Sequence, residues 1–279
     1  MTTMAKFVFF GTPLVASETL ATLIEHGFVP TLVVTSPDAP KGRGLTLTPS
    51  PVKVLALAHS LPVITPEKLD DETVATIAAY GGEYAVCVAY GKIFPESLIE
   101  TFPQGVLNVH YSLLPRHRGA TPLEGALLAG DTVTGVTVQK MVRALDAGDI
   151  IAQETTPIGD DETARELRPR LIALGAELLV RTLPAYLEGK IVPVAQDSSL
   201  ATHSGKIRKE DGLLDLAAPA EINWNKYRAY ANSIGTYFMQ NEKRVKIVQA
   251  SYKSNEFTIE RVVPEGRNEM NFEDFQSRN

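Results

Sequence analysis

The chain of 279 residues has a single cysteine, Cys87. No intrachain disulfide can form, and a reducing, cytoplasmic setting is expected. No stretch approaches the ~20 consecutive apolar residues that span a bilayer, so no membrane partner is expected. Residues 1–10 carry one lysine ahead of a short apolar run without a small-residue cleavage site, and they read as a first strand, not a signal peptide. His26, His59, His110, His117 and His203 are scattered and lack metal-ligand spacing, so no metal is expected. Phe10-Gly11-Thr12-Pro13 lacks the three-glycine dinucleotide fingerprint, and the phosphate-loop pattern is also missing. Positive charge is not in excess either. The 27 Lys and Arg face 33 Asp and Glu, a net charge of -6, which excludes a uniformly basic nucleic-acid coat and makes any nucleic-acid contact local.

What is present is ordinary for a globular protein: 44% hydrophobic and 22% charged residues, in a chain long enough for one large and one smaller domain. Apolar, β-prone segments alternate with segments of helical spacing. Residues 6–10 read as a strand, 13–26 as a helix through Leu14, Leu20 and Leu23, and 30–35 as a strand. Helices near 51–59 and 70–80 and strands at 62–65, 83–90 and 105–110 continue the pattern. The expected fold is α/β, a Rossmann-like mostly parallel sheet with helices on both faces. Residues 135–141 and 150–157 add strands and 162–187 a long helix. Residues 188–212 lack periodicity and read as a linker. The expected division is a catalytic domain at 1–190, a linker at 191–207 and a small β domain at 208–279. Residues 205–279 hold 12 Lys or Arg and 11 Asp or Glu, slightly more basic than the rest. Residues 268–279 are polar enough to fray.

The most informative segment is Asn108-Val109-His110-Tyr111-Ser112. In an extended chain Asn108, His110 and Ser112 share one face, so three polar groups converge where a buried strand ends. A lone histidine is usually a satisfied core residue. Here the proline-terminated loop and Arg116-His117-Arg118-Gly119 favour a binding crevice, since ligands of parallel sheets bind beyond the carboxyl ends of the strands. Leu145-Asp146-Ala147-Gly148-Asp149 reads by itself as a turn. It gains weight because a histidine needs a carboxylate to fix its tautomer and stabilise its charged form. Asn108 is then placed to donate to a developing oxyanion, and the three together suggest acyl or formyl transfer. Ser112 lacks the Gly-x-Ser-x-Gly elbow and reads as a structural or ligand-contact hydroxyl. Residues 36–51 form a long loop with two cations, Lys41 and Arg43. It is either a solvated surface loop or, with Arg43 between glycines, a phosphate hook.

Asn108-Val109-His110, followed by Ser112-Leu113-Leu114-Pro115 and by Asp146, resembles the signature of the folate-dependent formyltransferases. That signature is shared by the enzymes acting on glycinamide ribonucleotide, on nucleotide-linked amino sugars and on methionyl-tRNA, and by formyltetrahydrofolate hydrolase. Phe10-Gly11-Thr12-Pro13, Gly42-Arg43-Gly44, Val88-Ala89-Tyr90-Gly91, Arg116-His117-Arg118-Gly119 and Lys206-Ile207 with Lys209-Glu210-Asp211-Gly212 are similar to segments of the methionyl-tRNA formyltransferases. The resemblance implies Asn108, His110 and Asp146 as catalytic residues and 10-formyltetrahydrofolate as formyl donor. It implies a folate site at Ser112, Leu113, Leu114 and Pro115 with Val88, Tyr90 and Gly91. It further implies initiator methionyl-tRNA as partner, contacted by Lys41, Arg43, Lys206 and Lys209, and a C-terminal OB-like β-barrel; a monomer is expected. Three features depart from the pattern. Leu45-Thr46-Leu47 stands where lysines are usual, Val142-Arg143-Ala144 and Ala147 alter the surroundings of Asp146, and the C-terminal region is short enough to lack the barrel's middle strands. The alternatives are an amino-sugar formyltransferase and a non-catalytic nucleic-acid-binding relative.

Overall fold

A computed structural model describes residues 5–42, 44–231 and 233–277. The first ten strands are β1 (Phe7–Gly11), β2 (Leu32–Val34), β3 (Ala39–Lys41), β4 (Thr46–Thr48), β5 (Val63–Ile64), β6 (Tyr84–Val88), β7 (Val106–His110), β8 (Arg118–Gly119), β9 (Val133–Lys140) and β10 (Ile150–Pro157). Then come β11 (His203–Ser204), β12 (Thr236–Gln240), β13 (Lys243–Lys253), β14 (Glu256–Pro264) and β15 (Met270–Asn271). The α-helices are α1 (Leu14–Glu25), α2 (Pro51–Ala58), α3 (Asp71–Ala79), α4 (Glu96–Glu100), α5 (Pro122–Leu128), α6 (Ala164–Leu187), α7 (Ala220–Tyr230) and α8 (Phe272–Ser277). These residues gather into two compact units that do not follow chain order. One holds the residues up to Arg118 with Gly135–Glu154 and Leu171–Ala201; the other holds Gly119–Thr134, Thr155–Arg170 and the residues from Thr202 onward.

The first unit is built on a seven-stranded sheet in the order β10-β9-β7-β6-β1-β2-β5. The pairs β2–β5, β1–β2, β1–β6 and β6–β7 are parallel, and β7–β9 is antiparallel. Every residue of β1 and β6 is buried. Continuous apolar runs such as Phe7-Val8-Phe9-Phe10 therefore need cover on both faces, as in other parallel sheets. Leu20 and Leu23 of α1 and Val52 and Ala56 of α2 are fully buried. Local chemistry sets the helix starts. Ser50 accepts from the Lys53 N–H at 3.0 Å ahead of Pro51, and Asp70 accepts from the Thr73 N–H at 3.1 Å, each satisfying a donor that the first turn leaves open.

Residues 36–50, expected as an irregular loop, contain a hairpin in which Ala39, Pro40 and Lys41 pair with Thr48, Leu47 and Thr46. Leu45 and Leu47 on it are exposed. The strand-forming Thr-Leu-Thr run explains the difference.

The second unit contains the expected small β domain as a four-stranded antiparallel sheet in the linear order β12-β13-β14-β15. Among the described residues no ladder joins β12 to β15. Its core is Leu214, Phe238, Val245, Ile247, Ile259, Val262 and Phe275. Loss of barrel strands would leave open edges. Here the Leu214 N–H donates to the Tyr237 carbonyl at 2.8 Å, so an irregular segment covers part of the β12 edge. Within the segment expected to fray, the described residues 268–277 are tied down: Met270 and Asn271 pair with β14, and Phe275 of α8 is buried against Phe238. Two aromatic residues in a polar stretch outweigh its composition. Among the described residues no helix is long and apolar enough to cross a membrane.

Candidate active site

The β6–β7 ladder ends at Cys87 paired with Asn108. Beyond it β6 turns away through Ala89 and Gly91, at φ 46° and 83°, whereas β7 runs on to His110 beside β9, with Asn108 opposite Gln139 and His110 opposite Thr137. Two parallel strands that part at their carboxyl ends leave a crevice, and Asn108 and His110 stand on its wall. Among the described residues the half-buried Asn108 amide has no hydrogen-bond partner.

His110 is 5% exposed. Its Nε2 lies 3.0 Å from the His117 carbonyl oxygen. A carbonyl only accepts, so Nε2 carries the hydrogen and Nδ1 is the basic atom of the neutral ring. Nδ1 faces Asp146 Oδ1 at 3.6 Å. Burial holds the imidazole below the ordinary histidine value, and the Asp146 carboxylate and the His117 carbonyl oppose that shift without cancelling it. The resting ring is therefore neutral near pH 7, beside a carboxylate placed to stabilise it once a proton arrives.

Asp146 sits in a left-handed turn at φ 49°. Gly148 allows that turn to close on β9: a Cβ there would lie 1.7 Å from the Lys140 carbonyl oxygen. Gln139 Nε2 donates to Asp146 Oδ1 at 3.0 Å. Gln196 Nε2 donates to the main-chain oxygens of Asp146 and Gly148 at 2.8 and 2.7 Å. Gln196 Oε1 accepts from Arg118 Nε and Nη2 at 3.1 and 2.8 Å. The contacts run from the Arg118 side chain through Gln196 and the Asp146 turn to His110, whose Nε2 returns to the carbonyl of the preceding residue, His117.

Ser112 is fully buried and donates to the Arg116 carbonyl at 2.7 Å, which closes the loop after β7. Thr137 Oγ1 accepts from the Leu114 N–H at 3.1 Å and donates to the Ser112 carbonyl at 2.7 Å, while Gln153 donates to the Leu114 carbonyl at 2.9 Å. Leu114 is buried, and Leu113 and Pro115 are half-buried. Val88 is fully buried, and the Tyr90 ring packs edge-on against Phe10 and Phe94. The residues at 88–91 thus offer the crevice main chain, with Gly91 open to the space where a side chain would stand. Cys87 is buried, which with the charge of Asp146 pushes its thiol up to about 12. Sequence reading missed Thr137, Gln139, Gln153 and Gln196. The first two alternate with buried Val136 and Val138, and polar residues at every second position of a buried strand are the signal that finds them.

Lys41 is exposed on the β3–β4 hairpin of the first unit, and Arg43 lies outside the described residues. Lys206 and Lys209 belong to the second unit, where Lys209 opens a 3-10 turn, Lys209–Gly212. Among the described residues no group of three or more His, Cys, Asp or Glu is placed to hold a metal ion.

The α/β sheet with an Asn-His-Asp cluster at a parted strand end is that of a formyl-group transferase, and the formyl transferase family matches residues 5–183. The C-terminal domain of formyl transferases matches residues 206–270. The chain belongs to the formyl transferase family. Its relatives include methionyl-tRNA formyltransferases: that of Citrifermentans bemidjiense is 41% identical over 250 residues, 89% of this chain and 79% of the relative. That of Pelobacter propionicus is 43% identical over 243 residues, 87% and 76%. Among solved structures, a methionyl-tRNA formyltransferase from Clostridium thermocellum shares the fold at TM-score 0.62 and 16% identity, covering 94% of this chain and 99% of that one. So does an N-formyltransferase from Helicobacter canadensis, solved with folinic acid and dTDP-3-aminofucose, at TM-score 0.67 and 20% identity, covering 90% and 88%.

Proposed function

We propose that this protein transfers the formyl group of 10-formyltetrahydrofolate to the α-amino group of initiator methionyl-tRNA. The observation that carries the chemistry is His110, whose Nε2–H is fixed by the His117 carbonyl at 3.0 Å while Nδ1 faces Asp146 at 3.6 Å. The relatives at 41–43% identity carry the choice of acceptor. The crevice suits the donor. The opened β7 edge beyond Asn108 and the main chain of 88–91 leave N–H and C=O groups outside the β6–β7 ladder, which suits a heterocycle with donors and acceptors along one rim. Those segments would hold it.

When bound, the folate supplies a formyl carbon attached to a nitrogen leaving group. The unpartnered Asn108 amide donates to the formyl oxygen as negative charge grows there, an effect of about 3 kcal/mol when well aligned. His110 takes the proton of the attacking amine at Nδ1 as a general base, and the resulting imidazolium faces Asp146. That proton is then at hand for the departing nitrogen. Lys41, Arg43, Lys206 and Lys209 are assigned to the tRNA backbone, which cations hold without reading sequence. A cytoplasmic setting suits the unpaired, buried Cys87.

Incubation with formyl-folate and either charged initiator tRNA or an amino-sugar nucleotide tests the reading. Formylated methionyl-tRNA is expected. Product from the sugar alone would overturn the acceptor, and no product from either would overturn the activity.

A further inference from the structure

We infer that Gln139 is a positioning residue that sets how strongly Asp146 acts on His110, a role that rests on the formyl-transfer reading given above. Gln139 is 1% exposed and lies on β9 opposite Asn108. A carboxylate only accepts, so the Gln139 amide nitrogen must face Asp146. The same orientation turns Gln139 Oε1 towards the Gln196 amide nitrogen, 3.5 Å away. The oxygen it reaches, Oδ1, is the one 3.6 Å from His110 Nδ1. One carboxylate oxygen is thus divided between a permanent donor and the ring that gains a proton during the reaction.

Two consequences follow. A hydrogen bond from Gln139 draws on the negative charge of Oδ1, so it moderates the pull on a proton at Nδ1. It also anchors the carboxylate at a distance from which it stabilises the imidazolium without drawing the resting ring into a permanent ion pair. The ring therefore stays neutral and basic. Among the charged and titratable groups around the pair, Asp146 and His117 act on His110, Cys87 of β6 interacts with Asp146, and Arg118 reaches the turn through Gln196.

Gln139→Met keeps the length of the side chain and removes the donor; Gln139→Glu keeps the shape and adds a negative charge. Both are compared with the wild-type chain by NMR titration of labelled histidine, with the His110 resonance identified as the one missing from His110→Asn. The expected result is an upward shift of the His110 pKa by about half a unit to one unit in Gln139→Met and by more in Gln139→Glu. In turnover, kcat near pH 6.5 is expected to fall about 2- to 5-fold, the acid limb to move up by the same interval as the titration, and the folate KM to stay within about twofold. An unmoved His110 titration in a folded variant would overturn the inference, as would a change confined to folate KM. If Gln139→Met does not fold, Gln139→Glu decides by the same two criteria. The titration needs no substrate, so a wild-type chain that formylates nothing would remove the functional reading while the titration still decides whether Gln139 governs His110.

Discussion

Asp146→Asn separates the charge of the carboxylate from its place in the structure. The asparagine keeps a carbonyl oxygen to accept from Gln139, and Gln196 binds the main-chain oxygen of residue 146, so the turn is expected to persist. What is lost is the attraction between the carboxylate and the imidazolium that forms when His110 takes a proton. Unit charges about 4 Å apart interact by about 4 kcal/mol at an effective dielectric of about 20, and the pair stands 3.6 Å apart. If about half the charge has developed in the transition state, roughly 2 kcal/mol is lost, or about 30-fold in rate; full development raises the loss to about a thousandfold. We therefore expect kcat to fall by a factor between those limits, with folate affinity unchanged. The pH dependence has a definite sign. Asp146 raises the His110 pKa against the larger effect of burial, so its loss moves that pKa further down. Single-turnover formyl transfer, folate binding and the histidine titration would be measured together. A kcat within threefold of wild type, or an upward shift at His110, would refute the assigned role.

Four further outcomes follow from the same geometry. Because His110 acts as the neutral base and burial holds its pKa below 6.5, kcat/KM should rise with pH through a value below 6.5 and be flat at neutrality. The unfolded chain binds the extra proton more readily, so stability should also decline as pH falls from about 6.5 towards that value, which acid unfolding titrations measure. Cys87, buried and pushed up to about 12, should be silent to a thiol reagent in the native protein and react once in denaturant; fast labelling of the native chain would contradict its placement. Gly148→Ala should destabilise by several kcal/mol and abolish turnover, since its Cβ meets main-chain oxygen at 1.7 Å; near-normal melting and activity would show that the turn is not as described. Thr137→Val strands the buried Leu114 N–H and Ser112 carbonyl. A loss of about 1–3 kcal/mol in thermal or urea unfolding and a raised folate KM are expected, and an unchanged melting point would count against that contact set.

The sheet was legible because its strands are continuous apolar runs bounded by Gly and Pro, and the start of α2 because Ser50-Pro51 states a helix start in local chemistry. The candidate site was legible where chemistry concentrates in one segment: Asn108 and His110 at alternate positions, then a carboxylate in a Gly-containing turn. Other assignments lay beyond local pattern. Ser112 reads from sequence as either a structural or a ligand-contact hydroxyl, and only the fold shows that it donates to the Arg116 carbonyl and that the Tyr90 ring packs against Phe10. Gln196 lies in a stretch without periodicity, and what makes it consequential is the return of the chain to the Asp146 turn 50 residues earlier. Such a contact leaves no trace in nearest-neighbour spacing. The β12 edge is similar, because the segment that covers it reads as plain linker until its backbone donor at Leu214 is seen to meet Tyr237.

The opposition between burial and charge at His110 also explains why the surrounding network has the composition it does. A histidine this deep, left alone, would be too weak a base to hold a proton long enough to pass it on; paired tightly with a carboxylate, it would already hold one. The intermediate condition needs a carboxylate close enough to act and restrained from closing further. The restraint here comes from neutral amides, Gln139 on the side chain and Gln196 on the main chain. Neutral amides can do this without adding a charge of their own to the pocket. Arg118 reaches the turn through Gln196. Holding the Asp146 turn through the Gln139 and Gln196 amides therefore helps one buried ring serve first as base and then as acid.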